Sequence, residues 1–261
     1  MVDTRSIGKK EEIRLLIIPD TQIKPGDCTE FITWVAQAVK AYKPDHVVML
    51  GDWWDMPSLS VYTSKRLIEG QRILADIEAG NEAMRQFWKP LKRLKNRPEF
   101  HFHFGNHENR LTRYTNEHPE IAGILGDHLF YLDGWNTYPF LEVNEIGGIN
   151  FAHYFYNPMS SRPWSGNCHN VLRNVGLSFT QGHRQGKDMA SRTLPNGRVQ
   201  RGMIAGSCYL ASQGYLGPQG KESWHGVLIY NEVKDGNYDL LELSLRYLCK
   251  KFTGKKLEVF L

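Results

Sequence analysis

The sequence lacks several features that would assign a protein to a class at once. No apolar run approaches the roughly 18 residues that a membrane span requires, and no hydrophobic segment follows the polar N-terminus, MVDTRSIGKKEEIR, as it would in a signal peptide. Neither a P-loop nor a G-x-S-x-G motif occurs. These absences predict a cytoplasmic protein without contact to membranes, and they give no support to P-loop or serine-nucleophile chemistry.

Cysteine is scarce as well. The four cysteines, Cys28, Cys168, Cys208 and Cys249, form no C-x-x-C pair, which excludes a zinc ribbon and favours free thiols in a reducing compartment. The net charge of +4 and the isoelectric point of about 8.8 permit an anionic partner without demanding one.

The first hundred residues alternate between strand and helix patterns. Short apolar runs predict buried strands in 13–20 (IRLLIIPD), 44–52 (PDHVVMLGD) and 99–106 (EFHFHFGN). Helical spacing predicts one helix over 28–42, with Thr29 as N-cap, and a long one over 69–94, bent near Gly80 and Pro90. This order is typical of βαβ units and a parallel sheet.

The second half consists of strand-like segments joined by loops. They are 148–154, 175–183, 198–209, 224–233 and 238–248. No repeat and no linker interrupts the chain, so we expect a single domain over 1–261, with its motifs within 13–185 and closing strands within 198–248.

Polar side chains follow several of the predicted strands. Asp20, Asp52, Asn106, His153 and His183 each stand at or just after a strand end. In open α/β sheets, ligands bind beyond the carboxyl ends of the strands, so these side chains are expected to converge. Carboxylate and amide oxygens together with imidazoles suit Mn, Fe or Zn, and one carboxylate such as Asp52 can bridge two cations. The sequence therefore predicts a metal site.

The motifs resemble those of the calcineurin-like metallophosphoesterase family. That family carries D-x-H, G-D-x-x-D, G-N-H-[DE], a lone His and G-H-x-H, which appear here as DTQ (20–22), GDWWD (51–55), GNHE (105–108), His153 and GHRQ (182–185). The DTQ form, DMPSLS (55–60) and GPQG (217–220) look like proteins of bacteriophages and prophages. The resemblance implies an α/β fold, a four-layer sandwich of two mixed β-sheets flanked by α-helices.

The resemblance also implies the ligand set of two divalent cations. Asp52 would bridge them, Asn106, His153 and His183 would complete one site, and Asp20, Gln22 and Gln185 the other. Because glutamines replace two histidines of the family pattern, the second site is expected to be weaker. Mn²⁺ is the preferred ion, with Fe, Zn or Mg as alternatives. His107 would act as general acid or stabilise the phosphoryl charge.

Neighbouring residues have more than one interpretation. By resemblance, Asp55 orients a ligand histidine. Arg110 could bind a substrate phosphate or form a surface ion pair, and Trp53 could stack on a base or pack in the core. Arg162, in the loop 156–166, is a further candidate for substrate binding, although a purely structural loop is the alternative. Strand alternation indicates that His101 and His103 are packed polar residues.

Three functions are compatible with these residues. The first is hydrolysis of a phosphodiester in nucleic acid or a nucleotide by a metal-activated water, which makes DNA or a nucleotide the expected partner. The second is a phosphomonoesterase resembling phosphoprotein phosphatases. The third is a non-enzymatic module that retains the fold and a metal. The sequence does not indicate an oligomeric state.

Overall fold

The computed structural model describes residues 13–64, 66–210 and 224–261, and its strands form two mixed sheets and one short hairpin. The strands are β1 (Ile13–Ile18), β2 (His46–Met49), β3 (Glu99–His103), β4 (Asn136–Tyr138), β5 (Asn144–Ile146), β6 (Ile149–Ala152), β7 (Tyr156–Asn157), β8 (Arg162–Pro163), β9 (Phe179–Gln181), β10 (Asp188–Thr193), β11 (Val199–Ile204), β12 (Gly226–Lys234) and β13 (Asn237–Ser244). The helices are α1 (Glu30–Tyr42), α2 (Ile73–Trp88), α3 (Asn109–Glu117), α4 (Cys168–Val175) and α5 (Leu245–Thr253).

The larger sheet has the strand order β13-β12-β1-β2-β3-β4, and the smaller one β10-β11-β9-β6-β5. Strands β1 to β4 run parallel, while β12 and β13 add antiparallel strands at the side of β1. In the smaller sheet, β6, β9 and β11 are parallel and the two outer strands antiparallel. Strands β7 and β8 form the hairpin.

Three apolar clusters fix the order of the layers. On one face of the larger sheet, residues such as Leu16 and Phe102 pack against α1, α2 and α5. On its other face, residues such as Ile17 and Val48 meet Phe151 of the smaller sheet. Helix α4 covers the outer face of the smaller sheet. Helices, sheet, sheet and helix thus make four layers, which confirms the predicted fold class.

The predicted strands and helices are largely confirmed, with three differences in their ends or caps, whereas helices α3 and α4 and strands β4, β5 and β10 were not predicted. Thr29 stands at the start of α1, but its hydroxyl donates to Gln86 Oε1 instead of capping the helix. The second predicted helix begins at Ile73 and ends at Trp88, where a 3-10 turn containing Pro90 takes over. The predicted strand 238–248 stops at Ser244, whose side chain accepts from Tyr247 N and so begins α5.

Some sequence features lie outside the described ranges, including residues 1–12 and the GPQG stretch at 217–220. None of the helices in the described part of the chain combines the length and apolar character needed to cross a bilayer.

Candidate metal centre

The carboxyl ends of five strands in both sheets supply the residues of one centre. Asp20, Asp52 and Asn106 follow β1, β2 and β3, while His153 and His183 follow β6 and β9. Hydrogen bonds tie the two groups together, because His183 N donates to Asp20 Oδ1 (3.0 Å) and Nδ1 of His183 lies 2.7 Å from Asn106 Oδ1. The convergence expected from the sequence is therefore present.

One set of atoms has the spacing of metal ligands. A ligand atom from each of Asp52, His153 and His183 lies within 4.8 Å of the others. Nε2 of His153 is 3.4 Å from Asp52 Oδ2 and 2.8 Å from Asn106 Oδ1. The other ring nitrogen of His153, Nδ1, is 2.8 Å from the backbone oxygen of Leu50. That contact orients the ring and leaves Nε2 directed into the centre.

The turn at Asp52 is held in an uncommon backbone conformation. Gly51 and Asp52 have φ of +94° and +55°, which turns the Asp52 side chain toward the loop after β3. There the Asp52 carboxylate accepts from His107 N at 2.9 Å. A Cβ on Gly105 would lie 2.1 Å from Asp52 Oδ1, so only glycine permits this approach of the two loops.

Glu108 connects these two loops through hydrogen bonds to their backbone. It is fully buried, and its Oε2 accepts from Asp52 N (2.9 Å) and Gly105 N (2.8 Å). Its Oε1 accepts from Trp54 N at 3.0 Å. One carboxylate thus satisfies three backbone donors in two distant motifs and fixes the position of Asp52.

Burial and the negative charge of Asp52 disfavour the ionised forms of two carboxylates at this centre, and a cation would offset that repulsion. Burial, and then the charge of Asp52, raise the pKa of Asp20 to about 7. The same two causes raise the pKa of Glu108 to about 7. Oδ2 of Asp20 is buried and finds no hydrogen-bond partner within the described ranges. The donor set of carboxylate oxygens, an amide oxygen and imidazoles therefore fits a divalent ion such as Mn²⁺, Fe²⁺ or Zn²⁺.

His107 lies between Asp52 and Asp55. Its Nδ1 is 2.9 Å from Asp55 Oδ1, and its Nε2 is 3.7 Å from Asp52 Oδ2. Burial alone would lower the pKa of His107, but Asp52 and the hydrogen bond to Asp55 outweigh burial and raise the pKa. The partner of Asp55 is thus His107 and not one of the predicted ligand histidines, so that part of the prediction is wrong.

Trp53 and Trp54 anchor the Asp52 turn to helix α2. Both are fully buried, and their Nε1 atoms donate to the backbone oxygens of Gly80 and Ile77, each at 3.0 Å. A Cβ on Gly80 would lie 2.0 Å from Trp54 Cδ1, so this glycine makes room for the ring. Trp53 has no exposed face for a base, so of its two alternatives the structure supports packing in the core and contradicts substrate binding.

The two glutamines of the predicted weaker site have different surroundings. Gln22 is 2 % exposed and has a φ of +46°. The side-chain oxygen of Gln185 accepts a hydrogen bond from the hydroxyl of Tyr209. The structure therefore directs this oxygen to Tyr209, and the role of both glutamines as ligands stays a prediction. Arg162 is exposed on the hairpin of β7 and β8, and its role stays a prediction too.

Sequence reasoning missed two residues of the centre. Glu108 is the last letter of GNHE, but the sequence gives no indication that it binds backbone groups of the Asp52 turn. Tyr209 is 4 % exposed and follows β11. The sequence predicted a strand here but no site residue at its end. The position of Tyr209 after a strand that neighbours β9 is the signal that could have found it.

Comparisons with known proteins show the family of the chain. The family model described as calcineurin-like phosphoesterase matches residues 13–197. The Gene 54 proteins of Mycobacterium phages L5 and D29 are 27 % and 28 % identical over 196 residues, which cover 72 % of this chain and 75 % of each relative.

A solved structure, that of TT1561 from Thermus thermophilus, aligns with 90 % of this chain and 100 % of its own, but a TM-score of 0.35 and 9 % identity are too low to bear on fold or function. The family match covers more than half of the sequence and includes every motif of the centre. The chain therefore belongs to the calcineurin-like phosphoesterase family, whose members are metal-dependent hydrolases of phosphate esters.

Proposed function

We propose that the protein hydrolyses phosphodiester bonds in nucleic acid or nucleotides, with Mn²⁺ as the preferred ion. The observation that carries this choice is the position of Arg110. Its Nη1 donates to the backbone oxygens of Asp55 (2.8 Å) and Met56 (3.2 Å), and its Nη2 lies 3.1 Å from His107 Nε2. The guanidinium is therefore occupied in holding the His107 loop.

The position of Arg110 helps to distinguish a phosphomonoester from a phosphodiester, because the two substrates differ in charge. A phosphomonoester carries a charge of about −1.5 to −2 near neutral pH and is commonly gripped by arginine forks. A diester carries one negative charge, shared by its two non-bridging oxygens, and needs less positive charge from the protein. An arginine that faces the backbone favours the diester, and the isoelectric point of about 8.8 is compatible with a polyanionic substrate.

Two groups of residues would hold the cations. Asp52 with Asn106, His153 and His183 would form the first site, and Asp52 with Asp20 and the two glutamines the second. Bound there, divalent cations supply Lewis-acid charge for the phosphoryl oxygens and for the attacking water. The second site is the weaker one, because amide oxygens replace imidazoles and the Gln185 oxygen already accepts from Tyr209.

The residues of the chain perform the proton handling and the orientation. Asp55 accepts from Nδ1–H of His107, which directs Nε2 toward the carboxylate of Asp52. In this arrangement Nε2 accepts from Arg110 Nη2 (3.1 Å), so Nε2 would carry a proton for the leaving oxygen only after Arg110 withdraws from it. Asp55 at Nδ1 and Arg110 at Nε2 together restrict the rotation of the imidazole.

The test offers two model esters and DNA to the purified protein with Mn²⁺. We expect turnover of bis-p-nitrophenyl phosphate and of DNA, with less turnover of p-nitrophenyl phosphate. Asp52→Asn should abolish turnover, whereas Asp239→Asn should not change it. Asp239 is a matched control because it is an exposed carboxylate on β13.

Two outcomes contradict the proposal. Turnover of the monoester alone would identify a phosphomonoesterase. No turnover with any divalent ion, despite ions bound to the chain, would identify a binding module that retains the fold without the reaction.

A further inference from the structure

A second cluster of potential ligands lies at the amino ends of two inner strands of the larger sheet. His46 is the first residue of β2, and Glu99 is the first residue of β3. His46 and Glu99 are register partners, and His101 lies two residues beyond Glu99 on the same face of β3. The three side chains therefore meet at the amino ends of the strands, whereas the candidate metal centre lies at the carboxyl ends.

The spacing of three atoms is that of ligands around a single ion. Nδ1 of His46 lies 3.1 Å from Nε2 of His101. Oε2 of Glu99 is 3.5 Å from the former nitrogen and 3.7 Å from the latter. A tetrahedral ion with bonds of about 2.0–2.1 Å separates its ligands by about 3.3–3.4 Å. The three atoms thus form one face of such a tetrahedron with small adjustments.

Tyr138 orients the imidazole of His101 as a metal ligand requires. Nδ1 of His101 lies 3.0 Å from the hydroxyl of Tyr138, so a proton on Nδ1 can be donated there and leave the lone pair of Nε2 directed at His46. Burial, and then the neighbouring His46, lower the pKa of His101 to about 4. Burial also lowers the pKa of His46. Burial thus favours the neutral form of both rings, which is the form that binds a metal.

We propose that His46, Glu99 and His101 bind a transition-metal ion of the zinc type, separate from the candidate metal centre. Two imidazoles and one carboxylate are borderline ligands that suit Zn²⁺. The side chain of Glu99 is 66 % exposed and that of His101 is 6 % exposed, so a fourth ligand can enter from the solvent side. The ion joins β2 to β3 and stabilises the folded chain by mass action.

A direct hydrogen bond between the two imidazoles is the competing explanation. In that case one ring donates to the other, and Glu99 is only a nearby charge. The two explanations differ in what zinc does, since a hydrogen-bonded pair that binds no ion gains no stability from zinc at this position.

Crystals of the full chain soaked in Zn²⁺ give the direct test. An anomalous-scattering map should contain a peak between His46 and His101, in addition to any peak at the candidate metal centre. The peak should lie about 2.0–2.2 Å from the three ligand atoms. An occupied candidate metal centre with no peak at His46 would overturn the proposal.

Zinc titrations of variants give the second test. Glu99→Gln alters a largely exposed side chain and should leave the fold intact, and His46→Gln removes a ring nitrogen. Each should lower the zinc affinity of this site by at least about 10- to 100-fold, which is the loss that follows removal of a residue hydrogen-bonded to a metal ligand. Each should also reduce the rise of the melting temperature with zinc, while Mn²⁺-dependent ester hydrolysis persists.

His169→Gln is the matched control, because His169 is an exposed histidine on α4. It should behave as the unmodified chain does. Zinc affinity and zinc-dependent melting that are equal in Glu99→Gln, His46→Gln and the control would show that no ion binds there.

Discussion

Glu108→Gln tests how the loops around Asp52 are held. The glutamine oxygen can replace Oε2 and still accept from Asp52 N and Gly105 N. The NH₂ group of the glutamine then faces the N–H of Trp54, which donates to Glu108 Oε1 at 3.0 Å in the unmodified chain. Two donors then face each other without an acceptor. Leaving this buried N–H without a partner costs about 1–3 kcal/mol, and the two remaining hydrogen bonds weaken because their acceptor is no longer charged.

The expected change in the free energy of unfolding depends on whether a cation is bound. Without one, the substitution also removes the repulsion from Asp52, which contributes to the raised pKa of Glu108. The two effects oppose each other, so the free energy of unfolding should change by about 1 kcal/mol or less. With Mn²⁺ bound the repulsion is already neutralised, and the loss should reach about 2–3 kcal/mol. The difference corresponds to roughly 10- to 100-fold weaker binding of Mn²⁺.

Urea denaturation at pH 8, in EDTA and in Mn²⁺, measures both values. Glu145→Gln is the control, since this glutamate is exposed on β5. Equal destabilisation in EDTA and in Mn²⁺ would refute the reasoning, because Glu108 would then support the fold without any link to the cation.

Three further predictions concern other parts of the same fold. Gly105→Ala should abolish Mn²⁺-dependent hydrolysis and destabilise the chain by about 1–3 kcal/mol, because its Cβ would lie 2.1 Å from Asp52 Oδ1; full activity in an ester assay would contradict this. Joint replacement of Gln22 and Gln185 by histidine should raise the number of transition ions bound per chain, as elemental analysis can count; an unchanged number would contradict the ligand assignment. Burial lowers the pKa of His103 to about 4. Between pH 6.5 and 4 the unfolded chain therefore binds a proton at His103 that the folded chain does not bind, so the free energy of unfolding falls as the pH falls through that range. His103→Phe should flatten this fall in urea denaturation, and parallel curves for the two proteins would speak against it.

The strands were predictable because their apolar runs are continuous. Strands buried on both faces, such as β1 from Leu15 and β2 from Val47 onward, carry apolar residues at successive positions, and this pattern is visible without a structure. The polar residues at their ends were predictable for the same reason, since parallel strands bring their carboxyl ends to one edge. Asp52, Asn106 and His183 therefore meet as expected.

Contacts between distant motifs were not predictable. Glu108 and Asp52 are 56 residues apart, and nothing local in either motif indicates that one carboxylate binds the backbone of the other. The sequence left two alternatives for Trp53, stacking on a base or packing in the core, and only the structure shows that its ring lies in the core beside α2. The end of β13 was misjudged because the apolar pattern continues into α5, and only the capping hydroxyl of Ser244 marks the boundary.

The most direct test of the central claim is an anomalous-scattering map of a crystal soaked in Mn²⁺. It should contain manganese within about 2.0–2.3 Å of Asp52, His153, His183 and the Asn106 side-chain oxygen. A map without manganese at these side chains, in crystals where they lie apart from one another, would contradict the assignment of this centre.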